Sequence, residues 1–319
     1  MRRLEDRVAI VTGAGRGIGK AVAELMAEEG AKVVVNDLGS NLDGSGLSKQ
    51  PAEEVVEQIK EKGGEAISNA DSVSEYNSSK QIINCALDNY GRLDILVNCA
   101  GILRDRMIFN MTEEEWDSVI QVHLKGTFNM VKHSVEQMVL NKYGRIVLCA
   151  SSSGLGSSGQ ANYAAAKEGI VGFSRSLASE LLEYGINVNS VYPGGATRMT
   201  ASIPQTTRDL RKEMDSKKKG TDTQEMPSSE EPPEASDPEN NAPKMVYLCT
   251  EPAGEITGQV FGTFGWNMSL YSPRHVTHSI NKVGNWSVQE LSNILPISLA
   301  KELTNPMPKQ EPKEKKWTY

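Results

Sequence analysis

A tyrosine and a lysine four residues apart could carry out acid and base chemistry together. Three alanines separate Tyr163 from Lys167, and on a helix this spacing places both side chains on one face. The ammonium group should then lower the pKa of the phenol from about 10 towards neutrality, which would make a phenolate available as a general base. Such a pair also occurs by chance in many helices, where it is usually a solvated surface pair.

A serine cluster precedes this pair. Ser151 lies just beyond the strand candidate that starts at Arg145, and a glycine-rich loop leads on to Tyr163. A hydroxyl at the end of a strand can bond a substrate oxygen and stabilise the charge that develops on it. Anchoring the strand at Arg145 assigns this role to Ser151, with Ser152 as the alternative.

A glycine-rich turn follows the first strand candidate, at Thr12 to Gly19. Gly13, Gly17 and Gly19 let the backbone turn tightly and bring a pyrophosphate to the N-terminus of the next helix, where free amides and the helix dipole favour negative charge. The spacing Gly-x-x-x-Gly-x-Gly differs from the commoner Gly-x-Gly-x-x-Gly fingerprint. Alone it is also compatible with an ordinary turn between a strand and a helix.

An acidic residue stands at the end of the second strand candidate, about 20 residues beyond the glycines. Asp37 can accept hydrogen bonds from the adenosine ribose and would repel a 2′-phosphate. Arg16 could favour that phosphate, but position 38 offers no second cation. The pattern therefore favours NAD over NADP. The alternative is that Asp37 is a turn residue before Gly39.

The elements that must position these residues alternate between short β-branched runs and longer amphipathic stretches. This alternation predicts an α/β fold, a Rossmann-type doubly wound parallel sheet in a single domain. The predicted strands are Val8 to Val11, Lys32 to Asn36, Glu65 to Asn69, Leu93 to Asn98, Arg145 to Cys149, Asn187 to Val191 and Gln259 to Phe264. The predicted helices are Ile18 to Glu29, Pro51 to Lys62, Ser74 to Tyr90, Glu113 to Asn141 and Tyr163 to Glu183.

Composition divides the chain into a domain, an insert and an extension. The domain is expected at residues 4–268 and the C-terminal extension at 269–319, with one short helix from Ser287 to Ile294. Residues 204–243 are rich in Lys, Glu, Ser and Pro and poor in aliphatic side chains, which predicts a mobile lid or insert. The Pro- and Lys-rich end from Asn305 is expected to be disordered.

The 319 residues carry 41 acidic and 34 basic side chains, a net charge of -7, without a basic stripe that would indicate a nucleic-acid partner. The four cysteines are widely spaced and lie in apolar stretches, which predicts buried, reduced thiols. No metal-ligand spacing involves the histidines. Without an apolar run of the ~20 residues that span a bilayer, we expect a cytoplasmic protein.

Four motifs occur in the order typical of the short-chain dehydrogenase/reductase family, and the chain resembles that family. The motifs are Thr12 to Gly19, Asn98-Cys99-Ala100-Gly101, the Ser and Tyr-x-x-x-Lys set, and Pro193-Gly194. The resemblance implies a nicotinamide-dependent oxidoreductase, active as a homodimer or homotetramer. It implies catalytic roles for Ser151, Tyr163, Lys167 and His123. It implies cofactor contacts for Gly13, Arg16, Gly17, Ile18, Gly19, Asp37, Asp71, Ser72, Val73, Asn98, Ala100, Gly101, Tyr163, Lys167, Pro193, Gly194 and Thr197.

The chain departs from the family pattern at two positions. Cys99 replaces a common second asparagine, a small change that should leave the cofactor wall intact. His123 stands at the fourth catalytic position, where asparagine is commoner. It either joins a proton relay to Lys167 or is a satisfied helix residue.

Within the family, four segments resemble the (3R)-hydroxyacyl-CoA dehydrogenase part of multifunctional β-oxidation enzymes: Val35 to Gly39, Gly101 to Arg106, Val122 to Leu124 and Arg198 to Thr200. This makes a 3-hydroxyacyl-CoA thioester the expected substrate. One alternative is an NADPH-dependent ketoreductase for acyl carrier protein thioesters or steroids. Another is a non-catalytic nucleotide-binding subunit.

Overall fold

Strands rich in Val, Ile and Leu form one sheet in the computed structural model, which describes residues 2–196, 233–301 and 303. Within these residues the strand order is β3-β2-β1-β4-β5-β6-β7-β8. The first seven strands are parallel to their neighbours, and β8 is antiparallel to β7. The strands are β1 Val8–Thr12, β2 Lys32–Asn36, β3 Glu65–Asn69, β4 Ile95–Asn98, β5 Gly144–Cys149, β6 Ile186–Tyr192, β7 Val260–Gly262 and β8 Ser269–Leu270. The predicted Rossmann-type sheet is confirmed.

Helices cover both faces of this sheet. The helices of the described residues are α1 Gly17–Glu28, α2 Gln50–Glu61, α3 Tyr76–Tyr90, α4 Glu113–Ile120, α5 Gly126–Asn141, α6 Ala161–Leu181, α7 Ala242–Tyr247 and, in the C-terminal extension, α8 Val288–Ile294. Alternate residues of β1 point to opposite faces: Ala9 and Val11 pack with α1, α2 and α7, whereas Val8 and Ile10 pack with α3, α5 and α6. Because both faces are buried, the strands are nearly continuous apolar runs.

The crossovers change direction at β1, which pairs with β2 on one side and with β4 on the other. In open parallel sheets this arrangement leaves a crevice outside the carboxyl ends of the two central strands, where ligands bind. The glycine turn after β1 and the Asn98 to Gly101 segment after β4 both lie at this edge. The fold thus brings two of the predicted motifs together.

The predicted helix from Glu113 to Asn141 is interrupted. A π-helical turn, Gln121–Lys125, separates α4 from α5. π-turns are uncommon and often occur at functional sites. This one contains His123, and the 3.6-residue periodicity of the sequence did not indicate it. The other element boundaries differ from prediction by a few residues.

The chain separates into two compact units, residues 1–203 with 229–272, and residues 204–228 with 273–319. The first contains the whole sheet. Its end lies beyond the predicted boundary at 268, because β8 pairs with β7 and the Tyr271 ring packs edge-on against Tyr192 at 4.7 Å. In the second unit, α8 begins with a capping box between Ser287 and Glu290, where the sequence predicted a helix.

Most of the predicted insert, residues 204–232, lies outside the described residues, as does the chain end from 304. Residues 233–243 are described and form two 3₁₀ turns and the first residues of α7. Asn241 within them is fully buried. Its Nδ2 donates to Gly194 O at 2.8 Å, and its Oδ1 accepts from Thr263 Oγ1 at 2.8 Å. The predicted end of the insert at 243 is therefore too late, because a polar composition does not reveal an asparagine whose buried amide is fully bonded.

Candidate active site

The glycine turn lies directly against the end of β4. Gly13 and Gly17 adopt positive φ angles of 65° and 54°. A Cβ on Gly13 would lie 2.9 Å from the backbone N and Cα of Ala100, and one on Gly19 would lie 2.3 Å from Gly13 O. No side chain fits at either position. The turn is therefore a backbone cradle, as close approach to a pyrophosphate requires.

The start of α1 is open to an anion. Arg16 stands at the N-cap without a side-chain cap bond and is exposed, and the first turn of the helix contains no acidic residue. Ile18 is partly buried and packs against the core. The first amides of α1 are thus available to a phosphate group, which fits the predicted dinucleotide.

A hydrogen-bonded chain supports the wall after β4. Thr12 Oγ1 donates to Asn98 Oδ1 at 2.6 Å, and Asn98 Nδ2 donates to Thr127 Oγ1 at 2.8 Å. The backbone N–H groups of Cys99 and Ala100 donate to Thr12 Oγ1 at 3.1 and 3.2 Å. These bonds connect β1, β4 and α5. Sequence reasoning missed Thr127, which lies far from the motifs in the chain.

Asp37 faces the glycine turn. Its Oδ2 accepts from Gly15 N at 2.8 Å and its Oδ1 accepts from Gly39 N at 2.7 Å. These bonds hold the carboxylate beside the turn. That position is compatible with both predictions, a residue that binds the ribose and a turn residue before Gly39. Asp71 lines a cleft of about 300 Å³ next to this corner, together with Lys49, Ala52, Glu53, Ser68, Asn69 and Ala70. Val73 is buried, and Ser72 is partly buried.

Ser151, Tyr163 and Lys167 meet where β5 ends and α6 begins. Lys167 is 4% exposed, and its Nζ donates to Cys149 O at 2.5 Å. The same nitrogen lies 5.5 Å from the centroid of the Tyr163 ring. The Ser151 hydroxyl bonds the phenol of Tyr163, while Ser152 is exposed. The structure thus brings Ser151, and not Ser152, to the tyrosine.

The expected fall in the tyrosine pKa is wrong for this arrangement. Burial raises the pKa of Tyr163, and the hydrogen bond from Ser151 offsets this only in part. Burial also lowers the pKa of Lys167 to about 8. The phenolate is disfavoured because taking a charge out of water costs more than these neighbours return. The phenol therefore keeps its proton and can act as a proton donor. Additional positive charge beside it is needed before it can act as a base.

His123 is 1% exposed, and its ring packs edge-on against that of Tyr163 at 5.0 Å. Its Nε2 lies 2.8 Å from Ile102 O and 3.1 Å from Ile102 N. Burial, together with the charge of Lys167, lowers the pKa of His123 to about 3. The imidazole is therefore neutral near pH 7. A Cβ on Gly101 would lie 2.3 Å from His123 Cε1, so this ring also requires glycine in the cofactor wall.

The segment after β6 completes the site. Asn241 N–H groups bond Gly194 O, and Gly194 N donates to Asn241 Oδ1 at 3.3 Å, which fixes the backbone beside Pro193. The predicted cofactor residue Thr197 lies outside the described residues. Asn241 had no signal in the sequence, since it stands in a polar segment 47 residues from its partner.

The cysteines are free thiols, but only Cys149 and Cys249 are buried, whereas Cys85 and Cys99 are partly exposed. The Sγ atoms of Cys99 and Cys149 lie 3.2 Å apart. Among the described residues, no group of three or more His, Cys, Asp or Glu side chains could hold a metal ion. None of the helices in that part of the chain has the length and apolar character to cross a membrane.

A parallel sheet with a glycine cradle at its switch point and a Ser, Tyr and Lys set beside it defines a nicotinamide-dependent oxidoreductase. The chain belongs to the short-chain dehydrogenase family, whose model matches residues 7–208. It is accordingly an enzyme of the alcohol dehydrogenase/reductase type.

Relatives and a solved structure agree with this assignment. The chain is 39% identical over 265 residues to the peroxisomal multifunctional enzyme type 2 of Mus musculus, covering 83% of this chain and 32% of that enzyme. It thus spans about a third of the mouse protein's length. It is 35% identical to the hydroxyacyl-CoA dehydrogenase ChsB1 of Mycobacterium tuberculosis, with 92% and 88% covered. A short chain dehydrogenase from Mycobacterium avium superposes with a TM-score of 0.77 at 36% identity, with 96% and 98% covered.

Proposed function

We propose that this enzyme interconverts 3-hydroxyacyl-CoA and 3-ketoacyl-CoA thioesters with NAD, using Tyr163 as the general acid and base. The observation that carries the proposal is the meeting of Ser151, Tyr163 and Lys167 at the sheet edge that also holds the glycine cradle. The thioester substrate is supported by the hydroxyacyl-CoA dehydrogenase among the relatives. We also propose that the enzyme is a homodimer or homotetramer and that it is located in the cytoplasm.

In this mechanism Ser151, Tyr163 and Lys167 have different roles in proton transfer at the substrate oxygen. Ser151 donates a hydrogen bond to that oxygen, and Tyr163 takes its proton during oxidation or returns it during reduction. Lys167 contributes a positive charge next to the phenol. NAD bound at the glycine cradle would supply the hydride acceptor, and the positive charge of its oxidised nicotinamide would favour the phenolate. His123, bonded to Ile102, supports the wall and is uncharged near pH 7.

The test is a set of initial rates with NAD and with NADP against four substrate classes: 3-hydroxyacyl-CoA thioesters, acyl carrier protein thioesters, free secondary alcohols and steroids. We expect the highest kcat/KM with NAD and a 3-hydroxyacyl-CoA. Preference for another class would reject the proposed substrate. Binding of NAD without turnover of any class would reject the proposed reaction.

Cofactor choice is predicted to depend on Asp37. Replacing Asp37→Ser together with Leu38→Arg removes a negative charge and adds a cation where a 2′-phosphate would lie. The NAD to NADP ratio of kcat/KM should fall about 100-fold, which corresponds to roughly 3 kcal/mol. Asp37→Asn is the matched control, because it removes the charge without adding a cation, and it should shift the ratio less. An unchanged ratio in the double variant would mean that Arg16 or the backbone governs the choice.

A further inference from the structure

A partly buried chain of hydrogen bonds lies behind Ser151. Gln160 is 4% exposed and stands immediately before α6, three residues from Tyr163. Its Nε2 donates to Asp105, at 2.9 Å from Oδ2 and 3.2 Å from Oδ1. Its Oε1 accepts from Ser153 Oγ at 3.0 Å. Ser153 N in turn donates to Ser151 Oγ at 3.1 Å. The chain therefore leads from a carboxylate to the catalytic serine.

The carboxylate sets the direction of the bonds between Asp105, Gln160 and Ser153. An ionised Asp105 can only accept, so the NH₂ group of Gln160 must face it and the amide oxygen must face Ser153. The Ser153 hydroxyl must then donate to that oxygen, which fixes its side chain. Because Ser151 Oγ accepts from Ser153 N, its own proton does not point at that amide. That proton is left for Tyr163 or for a substrate oxygen.

We propose that Asp105 and Gln160 are positioning residues that orient the Ser151 hydroxyl as a donor, acting through Ser153. The inference deepens the proposed function and rests on it, since it concerns the same three catalytic side chains. We class neither Asp105 nor Gln160 as a catalytic residue, because the contacts that define their role are with each other and with Ser153.

The backbone around this chain is held independently of the two side chains. Arg106 N donates to Gly159 O at 2.8 Å, which forms a bridge between the two segments. Asn162 Nδ2 donates to Arg104 O at 3.1 Å and to Glu115 O at 2.9 Å. Exchanging the side chain of Asp105 or Gln160 should therefore leave the segments in place and change only the direction and length of the hydrogen bonds.

Asp105 also has an electrostatic effect on Tyr163, which acts on the rate in the opposite direction to its positioning of Ser151. The two effects can therefore be measured separately. Its negative charge adds to the burial that raises the pKa of Tyr163. The other groups that face the phenol are Lys167, His123 and Cys149, and Asp105→Asn leaves these unchanged. This variant should therefore move the alkaline rise of the oxidation rate to lower pH while it lowers the maximal rate.

The experiment compares Asp105→Asn, Gln160→Met and their double variant, with Gln81→Met, an exposed residue of α3, as the matched control. Each single variant should lower kcat by about 10- to 100-fold, as misplacement of a catalytic group does, with KM for NAD changed less than about twofold. The double variant should lose no more than the more damaging single variant, because both break one chain. The control should keep its kcat.

The same substitutions in a Ser151→Ala background show whether Asp105 and Gln160 act through the serine hydroxyl. With the serine hydroxyl removed, Asp105→Asn should cost no further kcat, whereas a role elsewhere in the site would give the full loss again. Additive losses in the double variant, or an unchanged kcat in both single variants, would also overturn the proposal. If Gln160→Met fails to fold, judged by its thermal melting, Asp105→Asn alone carries the test, since it keeps shape and volume.

Failure of the positioning claim and failure of the proposed substrate can be distinguished. If wild-type enzyme turns over a steroid or a free alcohol but no 3-hydroxyacyl-CoA, the substrate proposal fails, and the variants are measured on the alcohol that reacts. The positioning claim then stands or falls on the Ser151→Ala background alone.

Discussion

Replacing Tyr163 with phenylalanine should lower kcat by about 10³- to 10⁴-fold in both reaction directions, because the variant lacks the group that exchanges a proton with the substrate oxygen. The affinity for NAD should change less than about threefold, since the ring remains and the glycine cradle is untouched. Steady-state rates give the first quantity, and quenching of protein fluorescence by NAD gives the second.

The matched control is Tyr184→Phe, which removes an exposed phenol just beyond the same helix. It should leave both quantities as in the wild type. Turnover retained in Tyr163→Phe would show that another group moves the proton. Loss of NAD binding in that variant would instead show that the phenol serves the cofactor, and the assignment of the base would then need a separate test.

Replacing Lys167 with methionine should raise the stability of the protein and lower its activity. Folding removes this ammonium from water, and burial lowers its pKa to about 8 from a usual value of 10.5. At pH 7 the folded protein carries the cost of a buried charge, which methionine, of similar length, would remove. After allowance for the lost hydrogen bond to Cys149 O, the free energy of unfolding should rise by about 2 kcal/mol. At the same time kcat should fall by about 100-fold or more.

The lowered pKa of Lys167 also predicts how the free energy of unfolding changes with pH. Between pH 8 and 10.5 the unfolded chain binds more protons at Lys167 than the folded protein does, so wild-type stability gains a contribution as pH rises through this window. Urea unfolding at pH 7 and pH 10 should show that contribution in the wild type and not in Lys167→Met. Lys60→Met, at an exposed position of α2, is the control and should behave as the wild type. A methionine variant that is less stable at pH 7 would contradict the argument.

Local patterns were sufficient for the sheet and for the central pair of the site. The β-branched runs predicted the strands because a buried parallel strand must be apolar on both faces. The glycine turn was predictable because only glycine tolerates both the positive φ of Gly13 and its contact with Ala100. Tyr163 and Lys167 share a face because four residues make about one helical turn.

Partners distant in the chain were not predictable in the same way. Gln160 meets Asp105 across 55 residues, and Asn241 meets Gly194 across 47. In the sequence Gln160 and Asn241 are ordinary polar residues. Only the fold shows that Gln160 and Asn241 are buried and that their amide groups are hydrogen-bonded, because burial depends on which segments pack together and not on local spacing.

The sequence by itself thus determined that Tyr163 and Lys167 stand on one helix face, after a serine-bearing strand, in a dinucleotide-binding sheet. The tertiary structure decided the choice of Ser151 over Ser152, the neutral state of His123 and the sign of the pKa shift at Tyr163. The spacing predicts attraction between a phenolate and an ammonium. The depth at which both groups lie decides whether that attraction exceeds the cost of removing them from water, and depth is a property of the folded chain alone.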